Sequence, residues 1–289
     1  MAAVTCFVFA ALFRQALSAI AAAAVLLLCV GVQGVWYYGG TSASRESAAS
    51  QRRYADVRVL SSNLRKGQAD ADFLTLLAKD QADVVAVSEL TPEEVGHFAR
   101  AGLQESFPYS VLGAAPDAGG IGLFSRYPLI TGTATGTARV TAAAAEVAVP
   151  GVSQNPVVAS VHVISPLAGG TDAFTKWRES ITATKSYIVQ LAAAADPGAV
   201  IVGGDFNSTP DMWQFRDLLT NGYRDAVQQT GSGFSPTFPV HDWVPPLITI
   251  DHVLTRNASA SSIKTVTIPG SDHRALLATI QVPLDPTAS

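Results

Sequence analysis

The chain has 289 residues, of which 19 are Lys or Arg and 23 Asp or Glu, for a formal charge of −4, and 48% are hydrophobic. That length and apolar content suffice for one large core, while the acidic balance argues against non-specific duplex binding through a basic surface. Both cysteines, Cys6 and Cys29, fall in the apolar N-terminal stretch, which excludes a disulfide framework, a cysteine zinc site and a thiol nucleophile from the remainder.

Residues 16–38 contain no charged side chain. At about 1.5 Å per residue they are long enough to cross a hydrocarbon layer of about 30 Å, which predicts a transmembrane helix, with Trp36, Tyr37 and Tyr38 in an aromatic belt at its far end. A cleaved signal peptide is the competing reading, with Thr41-Ser42-Ala43 as a small-residue cleavage site, but residues 1–13 lack the basic start such a signal needs. Those residues are themselves apolar and read as a second short membrane segment, with Arg14 in a tight turn, or as the remainder of the first. The anchor in the cell membrane is therefore single-pass or two-pass. Arg14 on one flank competes with Arg45, Arg52 and Arg53 on the other; the folded domain is expected on the extracytoplasmic side. Residues 39–53, rich in Ser, Ala and Gly, read as a flexible linker. Beyond residue 50 the chain keeps 17 basic and 22 acidic side chains, a formal charge of −5.

From residue 54 onward, apolar runs bounded by Gly, Pro, Asn or Asp predict many short strands, at 57–61, 83–88, 122–124, 157–163, 199–202, 249–254 and 276–282. Helices are predicted at 69–79, 91–101, 172–195 and 209–219. Thr91-Pro92-Glu93-Glu94 supplies a capping hydroxyl, a first-turn proline and acids at the positive end of the dipole, and Ser208-Thr209-Pro210-Asp211 repeats that logic.

Polar residues stand at the ends of these runs in a fixed order. They are Asn63 after Val59-Leu60-Ser61-Ser62, Glu89 after Val84-Val85-Ala86-Val87-Ser88, His162 after Val158-Ala159-Ser160-Val161, Asp205 and Asn207 in Gly203-Gly204-Asp205-Phe206-Asn207, Asp251 in Ile250-Asp251-His252, and Asp272-His273. Open α/β sheets place their chemistry at such strand ends, and the paired glycines before Asp205 suggest a tight turn. Taken singly, an aspartate at a strand end is usually a turn or cap residue; the ordered set reverses those odds.

This set, with Gly120-Ile121-Gly122-Leu123-Phe124-Ser125-Arg126-Tyr127-Pro128-Leu129 between its members, resembles the endonuclease/exonuclease/phosphatase family and its deoxyribonuclease-I-like fold. The resemblance implies an α/β architecture of two packed mixed β-sheets flanked by helices, a four-layer sandwich, here preceded by the transmembrane helix. The division it suggests is 1–38 membrane segment or segments, 39–53 linker and 54–285 catalytic domain. It further implies a Mg²⁺-dependent phosphoesterase, with Mn²⁺ as a substitute, in which Glu89 holds the metal, helped by Asn63 and Asp272. Hard cations favour such oxygen donors. His162, Asp205, Asn207, Asp251 and His273 form the catalytic group: the histidines as acid/base or phosphate-polarising imidazoles, Asp251 orienting a histidine, and Asn207 holding water or a phosphoryl oxygen. Asn63, Asn207 and His162 are expected to touch substrate. Whether Asp205 or His273 is the base stays open, as does one metal against two.

His252 alternates to the opposite face of its strand from Asp251 and is expected to be a packed histidine. His97 is expected to be solvated, Arg65-Lys66-Gly67 exposed or touching phosphate, and His241-Asp242-Trp243 either loop packing or a rim of the site. Two departures from the family pattern are Ser62 before Asn63 and Thr249 before Ile250-Asp251-His252. The substrate is a phosphate ester, either nucleic acid or a phospholipid or inositol phosphate. Diester cleavage of nuclease type is favoured because His162-Val163-Ile164-Ser165-Pro166 resembles the histidine motif of secreted deoxyribonucleases; a lipid or inositol-phosphate phosphatase or phospholipase is the alternative. An inactive membrane-tethered binding module is the rival of another class, and no protein partner is expected beyond the membrane.

Overall fold

A computed structural model describes residues 2–40, 54–136, 139–167, 170–241 and 243–287. Most of the linker expected at 39–53, with its Thr41-Ser42-Ala43 site, and Asp242 lie outside the described residues. The chain opens with α1 (Ala2–Tyr38), a single helix that continues through Arg14, whose carbonyl accepts a hydrogen bond from Ser18 Oγ. The two-pass anchor is thereby corrected, because it needed a turn at that arginine. Residues 13–38 form a stretch long and apolar enough to span a membrane, and its apolar window is uncovered by the rest of the protein.

β1 (Tyr54–Asn63), α2 (Ala71–Gln81), β2 (Val84–Ser88), α3 (Pro92–Arg100), α4 (Leu103–Ser106), β3 (Tyr109–Gly113) and β4 (Ile121–Ser125) follow. After them come β5 (Leu129–Gly136), β6 (Thr141–Val147), β7 (Val157–His162), α5 (Ala173–Ala195), β8 (Val200–Asp205), α6 (Trp213–Leu218), β9 (Arg224–Asp225), α7 (Ala226–Thr230), β10 (Asp251–Arg256), β11 (Ser259–Thr267) and β12 (Arg274–Pro283). They build two mixed six-stranded sheets, ordered β11-β12-β1-β2-β4-β3 and β5-β6-β7-β8-β10-β9. In each, a central parallel pair, β1 with β2 and β7 with β8, is flanked by antiparallel neighbours.

Alternation along the central strands produces the layers, since successive side chains point to opposite faces. Val57, Val59, Val84 and Ala86 meet Ala143, Ala145, Val158 and Ile201 between the sheets. Leu60, Val85 and Val87 point outward under α2, α3 and α4 with Leu74, Phe98 and Leu103. Val200 and Val202 point outward under α5 and α6 with Trp177, Ile181 and Phe215. The four-layer α/β sandwich is as expected from the sequence.

Two local expectations change. Gly203 and Gly204 lie within β8 and do not turn the chain; a Cβ on Gly204 would stand 2.0 Å from the Val161 carbonyl oxygen, so glycine is required there for close strand approach. α6 begins at Trp213, four residues after the predicted start, with no side-chain cap bond from Met212.

The end of α1 is not free. Gly233 N–H donates to the Tyr37 carbonyl (2.8 Å), Tyr37 is buried edge-on against Phe234, and Trp36 packs near Phe215. The aromatic belt is therefore corrected for Tyr37: its ring fills a site in the domain instead of facing lipid headgroups.

Candidate active site

Six strand ends converge at one edge of the sandwich. Asn63 closes β1, Glu89 follows β2, His162 closes β7 and Asp205 closes β8, all at the carboxyl ends of the parallel pairs. Asp251 opens β10 and Asp272-His273 immediately precede β12; these strands run antiparallel to their neighbours, so their amino ends reach the same edge. Register brings Asp205 opposite both Asp251 and His162.

Asp205 is the hub. Its Oδ2 accepts from Asn63 Nδ2 (3.0 Å) and Asn207 Nδ2 (3.1 Å), and its Oδ1 from the Asn207 backbone N–H (2.8 Å). His162 Nε2 and His273 Nε2 stand 3.7 and 3.8 Å from Oδ2. Burial raises the Asp205 carboxyl, against the pull of His273, to about 6.

His273 donates through Nδ1 to Asp251 Oδ2 (2.9 Å), which turns Nε2 toward the cavity. Burial by itself opposes the charged ring, but the Asp251 and Asp205 carboxylates outweigh it and push His273 up to about 10. Phe238 packs against the ring at 4.8 Å between centroids, and Ser271 Oγ ties the end of β1 to the start of β12, donating to the Asn63 carbonyl and accepting from His273 N–H. His162 is held from behind by the Ala118 carbonyl at Nδ1 (3.1 Å).

Glu89 lies at the mouth in a left-handed conformation (φ 59°). Its carboxylate accepts from Asn63 Nδ2 (3.2 Å) and the Lys66 backbone N–H (2.8 Å), and the His162 ring stands 3.8 Å away. Asn63 Oδ1 is engaged by the Arg65 N–H. Asp272 stands slightly apart, lining the cavity and meeting Arg65 at 3.9 Å. Asn207, also left-handed (φ 45°), donates to the Val163 carbonyl and accepts on its own carbonyl from Trp177 Nε1. Glu89, His162, Asp205, Asn207, Asp272 and His273 line a cavity of about 670 Å³, and Asn63 and Asp251 are hydrogen-bonded to these lining residues.

The other singled-out residues separate cleanly. His252 is buried with Nδ1 on Asp225 (2.8 Å) and Nε2 on the Ser208 carbonyl (3.1 Å), stacked on Phe215, as its position on the opposite face predicted. His97 is half exposed but bonded to the buried Glu94 (3.0 Å), so it is not simply solvated. Arg65 and Lys66 form an exposed left-handed turn whose backbone serves Asn63 and Glu89. Trp243 is 94% exposed, which rules out loop packing for that side chain. Sequence reasoning missed Ser271, although it adjoins the Asp272-His273 signal, and Phe238, Met212 and Ile250, apolar walls of the cavity that carry no local signature.

Comparison with known proteins supplies the relatives. The family model described as Endonuclease/Exonuclease/phosphatase family matches residues 60–273. An endonuclease/exonuclease/phosphatase from Bacteroides vulgatus is similar in structure (TM-score 0.63, 19% identity, covering 79% of this chain and 99% of that one). So is D. rerio TDP2 complexed with a single-strand DNA product (TM-score 0.61, 16% identity, 78% and 99%). An endonuclease/exonuclease/phosphatase from Beutenbergia cavernae gives a TM-score of 0.58 at 16% identity, covering 80% and 72%. No curated protein matches the chain.

Proposed function

The chain belongs to the endonuclease/exonuclease/phosphatase family of phosphoester hydrolases, and on that premise we propose that it is a membrane-anchored, Mg²⁺-dependent phosphodiesterase. The observation that carries this reading is the convergence of two amides, two imidazoles and a buried carboxylate on one cavity with a second carboxylate at its mouth.

A divalent metal fits the donor set. Glu89 offers a hard carboxylate paired with amide donors and, among the described residues, with no lysine or arginine side chain, with Asp272 on the same cavity, while Asn63 braces Glu89 through its amide. Asp205, Asp251 and His273 also lie close enough together to suggest ligands, but the Asp251–His273 hydrogen bond occupies two of the three donor groups, so we assign this trio to proton handling. Bound at Glu89, Mg²⁺ would polarise a phosphoryl oxygen and offset charge on the leaving oxygen.

The remaining work belongs to side chains. Asp205, with its carboxyl lifted to about 6, accepts the proton of the attacking water near neutral pH, and Asn207 orients that water beside it. His273, kept protonated by Asp251, is the donor to a phosphoryl oxygen and not the base. His162, anchored by Ala118, presents Nε2 to the cavity as the acid for the leaving oxygen. As the water oxygen bonds to phosphorus, the ester P–O bond breaks and the alcohol leaves with a proton from His162, while Asp205 keeps the proton of the water.

We place residues 54–285 as the catalytic domain and α1 as its anchor, with the domain extracytoplasmic. Protection of the domain from added protease in right-side-out cells would overturn that orientation. The activity is tested with the full chain in detergent on bis(p-nitrophenyl) phosphate and single-stranded oligonucleotides. Mg²⁺-dependent turnover abolished by a chelator is expected; activity that persists in chelator overturns the metal assignment.

A further inference from the structure

Beside the active-site cavity lies a second groove of about 520 Å³, walled on one side by Val30, Gln33, Gly34 and Tyr37 of α1. Its other wall is the domain, at Phe234, Leu247 and Ile248. Thr209 and Ile248 line both spaces, so the groove adjoins the cavity. The N-terminal helix is thus a wall of a space next to the one that holds the candidate catalytic residues.

The depth of that groove follows from α1. Residues 16–35 at about 1.5 Å each cover about 30 Å, one hydrocarbon thickness. Tyr37 is locked to the domain by the Gly233 hydrogen bond, so the domain sits on the membrane surface with the groove at its boundary and Val30 deeper than Tyr37. Trp213, next in the chain to the cavity residue Met212, and Trp243, at the tip of the hairpin whose stem pairs Phe238 with Ile248, are both exposed. Tryptophans favour the membrane interface.

Charge decides the class of substrate. Among the described residues lining the cavity and the groove, none is Lys or Arg, and the domain is acidic overall. A polynucleotide brings a phosphate at every step and needs basic partners for the neighbours of the scissile one. A membrane lipid brings a single phosphoester and an apolar tail, which this pair of spaces matches.

Resting on the phosphodiesterase reading, we propose that α1 is part of the substrate site. The groove between its last turns and the loops around Phe234 and Ile248 takes an acyl chain of a membrane phospholipid, which enters sideways from the bilayer. Its phosphodiester group lies in the cavity against Asn207 and His273. Water adds to phosphorus and one P–O ester bond breaks, the departing oxygen leaving as an alcohol.

The test uses the full chain in vesicles containing phosphatidylcholine, phosphatidylethanolamine, phosphatidylglycerol and phosphatidylinositol, with Mg²⁺, beside water-soluble short-chain forms of the same lipids, a single-stranded oligonucleotide and bis(p-nitrophenyl) phosphate. A Cβ at Gly34 meets nothing within 4 Å, so Gly34→Phe fills the groove without straining the helix. That variant should lower the ratio of long-chain to short-chain turnover by about tenfold, the scale at which an apolar pocket discriminates. Val32→Phe, on the opposite side of α1, should leave the ratio unchanged. Cleavage of the oligonucleotide or of bis(p-nitrophenyl) phosphate without cleavage of any long-chain lipid overturns the groove assignment and leaves the phosphodiesterase reading standing. An equal ratio in Gly34→Phe and wild type also overturns it. If no substrate is cleaved, both readings fall.

Discussion

Asp251 and His252 are neighbours in one strand, and each belongs to a buried histidine–aspartate pair: Asp251 with His273 at 2.9 Å on one face of β10, His252 with Asp225 at 2.8 Å on the other. By pair distance and burial the two are nearly alike. They differ in the second ring nitrogen. His273 Nε2 faces Asp205 and the cavity, whereas His252 Nε2 is consumed by the Ser208 carbonyl and its ring is stacked on Phe215. A buried His–Asp pair therefore marks chemistry only where the distal nitrogen meets space a substrate can enter; with both nitrogens engaged, the same pair is a strut between β10, Asp225 at the start of α7 and the loop after β8.

The comparison can be pressed by substitution. The largest effect is expected from Asp205→Asn, which removes the proton acceptor and turns one of two hydrogen-bond-accepting oxygens into a donor; turnover should fall by about 10³-fold, with the protein still folded by circular dichroism. Glu89→Gln should likewise remove the Mg²⁺ response, read as loss of activity at saturating metal with circular dichroism unaltered. Next, His273→Ala and His162→Ala should each cost about 10²-fold, and the double variant much less than the product, because groups acting on one phosphoryl centre are not additive.

His252→Ala is the counterpart on the other face. It should lower stability by about 3–5 kcal/mol, since it strands the buried Asp225 carboxylate, while turnover per folded molecule changes by less than about threefold. Denaturant melts and steady-state kinetics on the same samples separate the two quantities. If His252→Ala abolishes turnover at unchanged stability while His273→Ala is silent, the contrast is inverted.

The subtlest expectation is a titration. In chelated protein, NMR of His273 should show the ring protonated through neutrality, with its transition near 10, and Asp251→Asn should move that transition down. Because this folded value lies above the ordinary 6.5, the contribution of His273 to stability is complete below about pH 6.5 and is lost as the pH rises toward 10. A transition near 6.5 in the wild-type protein would show that the carboxylates do not hold the charge.

The central strands were legible in the sequence because they are buried on both faces: β1, β2, β7 and β8 read as short β-branched runs, and the polar residue ending each run stands out against them. The same contrast exposed Asn63, Glu89, His162 and Asp205, and alternation alone separated Asp251 from His252. Strand β6 was illegible, since Ala142, Ala143, Ala144 and Ala145 have little strand preference of their own; pairing with β5 and β7 and burial between two layers hold them extended. Strand β11, Ser259–Thr267, is an edge strand with few apolar residues and is set by β12.

Composition, periodicity and the order of motifs thus determined the long apolar N-terminal helix, the α/β sandwich and the set of candidate site residues, because each depends on local apolar patterning or on residue type. Tertiary structure decided how those residues connect: that Asp205 is the hub, that Asp251 holds His273 while Ala118 holds His162, and that Ser271 bridges two strands. It also decided that Tyr37 is buried in the domain, so that α1 borders a groove beside the cavity. These contacts join residues that lie tens to hundreds of positions apart, and no local pattern encodes a distance between strand ends that only sheet register brings together.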